Sequence, residues 1–200
     1  MDYNELLKYV RGLCRVRAYK DRSSLACGAR GTFQVTNKGP LITLATRGLS
    51  KKKLTETLLH EFAHFLQYQD GFMSYVDNIC DGYSVVGEWF AGRVEFTPME
   101  IQVVRNSILT IEYDAERRGH NLGLTLGAKH FTSRYYLKGA EAYMDAIKWS
   151  FLRREETTET PRRNEYKGVL ISNEELYAPL KEKRAARMDA RLSLQKQSRS

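Results

Sequence analysis

One helix constrains this chain more than any other feature. From Lys51 to Tyr68, the residues Leu54, Leu58, Phe62, Phe65 and Leu66 recur at helical spacing. Ser50 stands where an N-cap belongs, and Asp70-Gly71 closes the stretch. Embedded in it is His60-Glu61-Phe62-Ala63-His64. Histidines four apart share one helix face, so the two imidazoles are presented close enough to hold a single metal ion. Glu61, beside the first of them, can reach a water at that ion without being a ligand itself. The combination points to Zn2+ at His60 and His64 with Glu61 as general base. Zinc lowers the pKa of its water to about 7, and a neighbouring carboxylate takes the proton as hydroxide attacks a carbonyl. Two of the chain's four histidines lie in this motif, which weighs against an incidental placement.

A catalytic zinc takes three protein ligands and keeps one position open. The third ligand comes from elsewhere in the chain, and Glu112 is the first choice. Thr97-Pro98-Met99-Glu100 is a helix start with a Thr cap, Pro at the first position and an acid in the first turn. Ile101, Val104, Ile108, Ile111 and Ala115 continue one apolar face from there to about Arg118. Glu112, next to Ile111, is set toward the core, and Glu116 shares its face four residues on. One carboxylate can bind the metal while the other receives a ring N–H from a ligand histidine. Glu88, Asp114, Glu116 and His120 stay open as alternative ligands. The alternative meaning of these acids is an ordinary solvated face paired with Arg117 and Arg118. For the group that stabilises an oxyanion, Tyr113, His120, Tyr135, Tyr136 and Tyr143 all qualify by chemistry.

The remaining segments give an α+β class: a small, mostly antiparallel N-terminal sheet followed by a helical bundle that carries the histidine helix. Asp2 caps a short helix with Leu6, Leu7 and Val10 on one face. Leu13 to Tyr19 alternates apolar and basic residues as a strand does. Ser24 to Val35 is less regular, with turn points at Gly28 and Gly31. Asn37-Lys38-Gly39-Pro40 reads as a turn, and Leu41 to Thr46 as a short strand. Residues 72–97 read as a loop with a short helical piece near Glu88-Trp89-Phe90. The helix from Thr97 meets an interruption at Gly119 and Asn121, with helical turn extending toward Leu124. Thr132 or Ser133 starts a further helix, Arg134 to Arg153. The expected organisation is one domain over 1–153, a linker with short elements over 154–180 (a helix start at Ser172 or Asn173), and a basic tail over 181–200.

The assembled residues resemble the zincin metallopeptidases and, among them, the gluzincins, in which a second helix supplies a Glu ligand and an acid four residues later. Glu112 and Glu116 match that layout. The chain also looks similar to uncharacterised phage and bacterial HExxH metallopeptidases. The likeness runs over Leu58 to Gln67, Trp89 to Gly92, Glu112 to Arg118 and, loosely, Gly139 to Tyr143 with Trp149. The resemblance implies a zinc-dependent peptidase acting on a peptide or protein substrate. It also implies that Thr43 to Thr46 lie in an edge strand that pairs with that substrate. Two features depart from the pattern. Between His64 and Glu112 lie 47 residues, more than in the familiar gluzincins, which keeps Glu88 in play. The oxyanion residue is also not singled out.

Charge and cysteine usage narrow the other classes. The formal net charge is +8, but seven basic against two acidic residues in 181–200 account for five of it. Basicity is therefore a property of the tail. A regulatory protein that uses this tail on nucleic acid is the second reading, and a structural protein with an incidental motif the third. Cys14, Cys27 and Cys80 form no CxxC pair and are odd in number, against a disulfide framework or a cysteine zinc knuckle. No apolar run approaches the ~20 residues of a membrane span. Met1 to Arg11 lacks the apolar core of a secretory signal, which reads as cytoplasmic, or host-cytoplasmic if phage-encoded.

Overall fold

Two caps start the helices that matter most. The Ser50 side chain accepts from the Lys53 N–H and begins α2, Lys51–Gln69. Thr97 and Glu100 form a reciprocal capping box, with Pro98 in the first turn, at the start of α4, Pro98–Thr125. Such caps partner backbone N–H groups that the helix itself leaves unbonded. The computed structural model describes residues 1–20, 29–72 and 82–154. Its other elements are α1 Tyr3–Arg11, β1 Arg15–Tyr19, β2 Gly31–Thr36, β3 Gly39–Ala45, α3 Gly82–Phe90 and α5 Ser133–Arg153. The class is mixed α+β, as the sequence indicates.

The sheet differs from the expected, mostly antiparallel one. Its order is β1-β3-β2, with β2 antiparallel to β3 through a tight turn at Asn37-Lys38, and β1 parallel to β3. Gly39 takes φ +92° just after that turn, so β3 begins two residues before Leu41. The central place of β3 follows from its composition. Leu41 to Ala45 are all buried, the continuous pattern of a strand covered on both sides. β1 and β2, in which every residue is at least partly exposed, form the rims. Thr43 is thus not in an edge strand: Arg17 and Thr32 flank it in register, and its hydroxyl hydrogen-bonds that of Thr32. The expectation that Thr43 to Thr46 pair with a substrate is corrected on this ground, since β3 has a neighbour on each side.

One face of α2 lies on this sheet. Leu58, Phe62 and Phe65 pack with Ile42 and Leu44 of β3 and with Leu6 and Val10 of α1. Removing each such side chain from water stabilises the fold by ~1.5–3 kcal/mol, so the helix is firmly seated. Its opposite face meets α4, which also packs against α5 and α3. A second apolar cluster joins Val86 and Trp89 of α3, Val104 and Ile108 of α4, and Phe151 of α5. Residues 82–90 therefore form a full helix, longer than the piece expected around Glu88.

α4 runs without a break through Gly119 to Thr125. A Cβ at Gly119 would clash with the Tyr136 hydroxyl, and one at Gly123 would sit 2.7 Å from the Phe131 ring. Both glycines are there for close packing, not to end the helix. Among the described residues no helix is long and apolar enough to cross a membrane. Cys27, Cys80, the turn point at Gly28, the Ser172–Asn173 helix start, the linker beyond Arg154 and the tail over 181–200 lie outside the described residues.

Candidate metal centre

Along α2 runs a polar stripe of Glu56, His60, His64 and Gln67, spaced by three or four residues, the last three of which meet α4. Glu56, His64 and Gln67 are buried, and His60 nearly so. Across from it α4 presents Glu112 and Glu116 one turn apart. Buried polar atoms are costly unless partnered, so the purpose of this stripe lies in what its atoms meet.

His60 Nε2 and His64 Nε2 are 3.1 Å apart. Glu112 Oε2 lies 3.3 Å from the first and 3.5 Å from the second. Ligands ~2.0–2.1 Å from a tetrahedral zinc stand ~3.3–3.4 Å from one another. The three edges of this triangle bracket that value. Of the His, Cys, Asp and Glu side chains described, these three form the group with atoms close enough to hold a metal ion. The donor set of two imidazoles and one carboxylate suits zinc. The fit to Zn2+ is therefore good in spacing and in chemistry.

The surrounding charge favours a cation. Burial by itself would strip the proton from His60, but Glu116 and Glu112 outweigh it and hold the imidazole well above its usual pKa. His64 is raised in the same way, burial being opposed chiefly by Glu112. Burial would likewise raise Glu112, yet His64 and His60 hold its carboxyl well below the usual range. Glu61 goes the other way. Burial raises its pKa, His60 and His64 pull it down, and Glu112 and Glu116 push it up again, leaving a net rise. Its side chain lies against β2: a Cβ on Gly31 would be 2.9 Å from both Glu61 Cγ and Oε1.

Each imidazole is also held from behind. Glu116 Oε1 lies 3.2 Å from His60 Nδ1, a close ionic contact whose N–H line is not well aimed. His64 Nδ1 is 2.8 Å from Gln67 Oε1 in a buried contact. Sequence reasoning placed Glu116 and missed Gln67. A glutamine on an apolar helix signals nothing until its neighbour across the helix interface is known. The hint available was its spacing of three from His64.

Among the alternatives, Glu88 is off the site and paired with Arg93. Asp114 is bound to Gln67, Arg117 and Arg118. His120 meets Ser133 Oγ at 2.6 Å. Of the oxyanion candidates, Tyr135 is exposed beneath Lys52. Tyr113 projects about 100° around α4 from Glu112. Tyr136 has its hydroxyl over Gly119, raised in pKa by burial and then by Glu116. Tyr143 of α5 meets the cluster itself. Its ring stands edge-on to His60, with centroids 5.7 Å apart. Burial, then Glu112, Glu61 and Glu116, raise its hydroxyl well above the usual tyrosine range. Tyr143 is 41% exposed as a residue, so it stands at the rim of the cluster. No family model, curated protein or solved structure matches the chain.

Proposed function

We propose that the chain is a zinc-dependent metallopeptidase with a zincin-like, gluzincin-type site, hydrolysing peptide (amide) bonds. The observation that carries this reading is the triangle of His60 Nε2, His64 Nε2 and Glu112 Oε2, with edges of 3.1, 3.3 and 3.5 Å. His60, His64 and Glu112 would hold the ion, and Glu116 would orient His60. When bound, zinc would supply Lewis acidity to the scissile carbonyl.

The chain's own groups account for the proton traffic. Glu61, raised in pKa by burial, takes one proton from the attacking water as its oxygen bonds to the scissile carbonyl carbon. When the C–N bond breaks, Glu61 returns that proton to the departing nitrogen. Tyr143, whose ring stands against His60 and whose hydroxyl burial and Glu112 keep protonated, would donate a hydrogen bond to the oxyanion that develops. The partner is a peptide or protein substrate.

The test is Glu61→Gln, with zinc content read by mass spectrometry and hydrolysis read on a fluorogenic peptide library. Zinc is retained at the wild-type level, and turnover falls by ~10²–10⁴-fold. A Glu61→Gln protein as active as wild type would remove the assigned role. Wild-type zinc content in His60→Ala/His64→Ala would remove the site.

A further inference from the structure

Gln67 is fully enclosed, and a buried amide needs its N–H and carbonyl groups partnered. Its Nε2 donates to the Ile111 carbonyl at 2.8 Å and to Asp114 Oδ2 at 3.1 Å, both on α4. Its Oε1 lies 2.8 Å from His64 Nδ1. The amide has one sensible orientation. Turned over, its carbonyl would face two acceptors on α4. With Oε1 fixed toward His64, Nδ1 must be the donor and carry the proton. The lone pair of His64 Nε2 is then left for the triangle with His60 and Glu112.

Asp114 is itself held. Arg117 Nη2 donates to Oδ1 at 2.7 Å and Arg118 Nε to Oδ2. Arg118 also reaches Asp70 Oδ2 at 2.6 Å, at the C-cap of α2. A closed circuit therefore ties the end of α2 to α4 through Gln67, Asp114, Arg118 and Asp70.

We infer that Gln67, fixed by Asp114, is a positioning residue that holds His64 in the Nδ1–H tautomer and so sets the affinity of the His60–His64–Glu112 site for a divalent cation. The inference rests on the zinc reading and deepens it. Neither side chain touches the ion; both act through His64.

The test uses the full chain, zinc alone as the probe, a competing chromophoric chelator to read the dissociation constant, and long-range ¹H–¹⁵N spectra of the histidines in the zinc-saturated protein. Wild type must first bind one zinc; failure there removes the functional reading rather than this one. Gln67→Met keeps the volume and loses the polar partners. Its zinc affinity falls by ~10–100-fold, and the protected His64 Nδ1 proton disappears. Gln67→Glu gives His64 an acceptor but sets a carboxylate against Asp114, so it too binds weakly. Gln67→Glu/Asp114→Asn restores a donor at one of the two α4 contacts, the Ile111 carbonyl still facing the new acceptor, and it recovers part of the affinity and of the Nδ1–H signal. A folded Gln67→Met with wild-type affinity and an unchanged His64 spectrum would overturn the inference. So would a double variant that folds stably and binds no better than Gln67→Glu.

Discussion

Gly31→Ala perturbs the proposed base without touching it chemically. Gly31 opens β2 in ordinary extended backbone, so alanine meets no conformational penalty there. The cost is steric. The new methyl would lie 2.7 Å from Thr57 Cγ2, 2.9 Å from Glu61 Cγ and 2.9 Å from Glu61 Oε1, where ordinary contact begins at 3.4 Å. The three approaches are each at least half an ångström too short. Over-packing of this kind costs ~1–3 kcal/mol. At ~2–4 °C per kcal/mol for a chain of this size, melting falls by about 2–12 °C. The Glu61 carboxylate must also move, and a misplacement of ~1 Å lowers turnover by ~10²-fold. Zinc content should not change, because Glu61 is not a ligand. Thr57→Ser removes the methyl behind the shortest contact. Added to Gly31→Ala, it should recover part of the stability and little of the turnover, because the two Glu61 contacts persist. Thermal melts, zinc analysis and peptide hydrolysis on the single and double variants make the comparison. A Gly31→Ala protein within ~0.5 kcal/mol of wild type and equally active would refute the placement of Glu61 against β2.

Gly123→Ala should destabilise the protein by ~1–3 kcal/mol by over-packing against Phe131, even though alanine is the better helix former by ~1 kcal/mol; urea unfolding decides the sign. Thr97→Ala should cost ~1 kcal/mol as a lost N-cap. Glu100 in the same capping box is lowered in pKa by the Thr97 backbone and side chain. Its contribution is therefore present above the unfolded carboxylate value and lost as pH falls through the folded one; a pH series of melts for wild type and Glu100→Gln should converge in acid. Burial pushes the Cys14 thiol up to about 11. At pH 8 it should alkylate ~10²-fold more slowly in the native protein than after unfolding, where a free thiol has pKa ~8.5, as peptide mapping would show.

What the sequence made legible was what is local. Ser50 and the Thr97–Glu100 box start α2 and α4 where the sequence places them, because a cap is read within four residues. The spacings of His60 with His64 and of Glu112 with Glu116 needed only a helical period, and those four side chains do converge. What failed was pairing between distant segments. The parallel partnership of β1 with β3 spans the connection between them, and no turn residue announces it. Gly119 reads as a breaker until the Tyr136 hydroxyl opposite it is known. Gln67 and Asp114 needed the α2–α4 interface before either had a role, and Tyr143 stood among five equals until α5 brought it to His60.

One zinc ion on His60, His64 and Glu112 would be seen by X-ray absorption on the zinc-loaded protein. The expected result is one zinc per chain, two imidazole nitrogens and oxygen ligands at ~2.0–2.2 Å, and no sulfur, with the imidazole signal lost in His60→Ala/His64→Ala. Sulfur ligands at ~2.3 Å, or zinc that stays bound with an unchanged spectrum in that double variant, would contradict it.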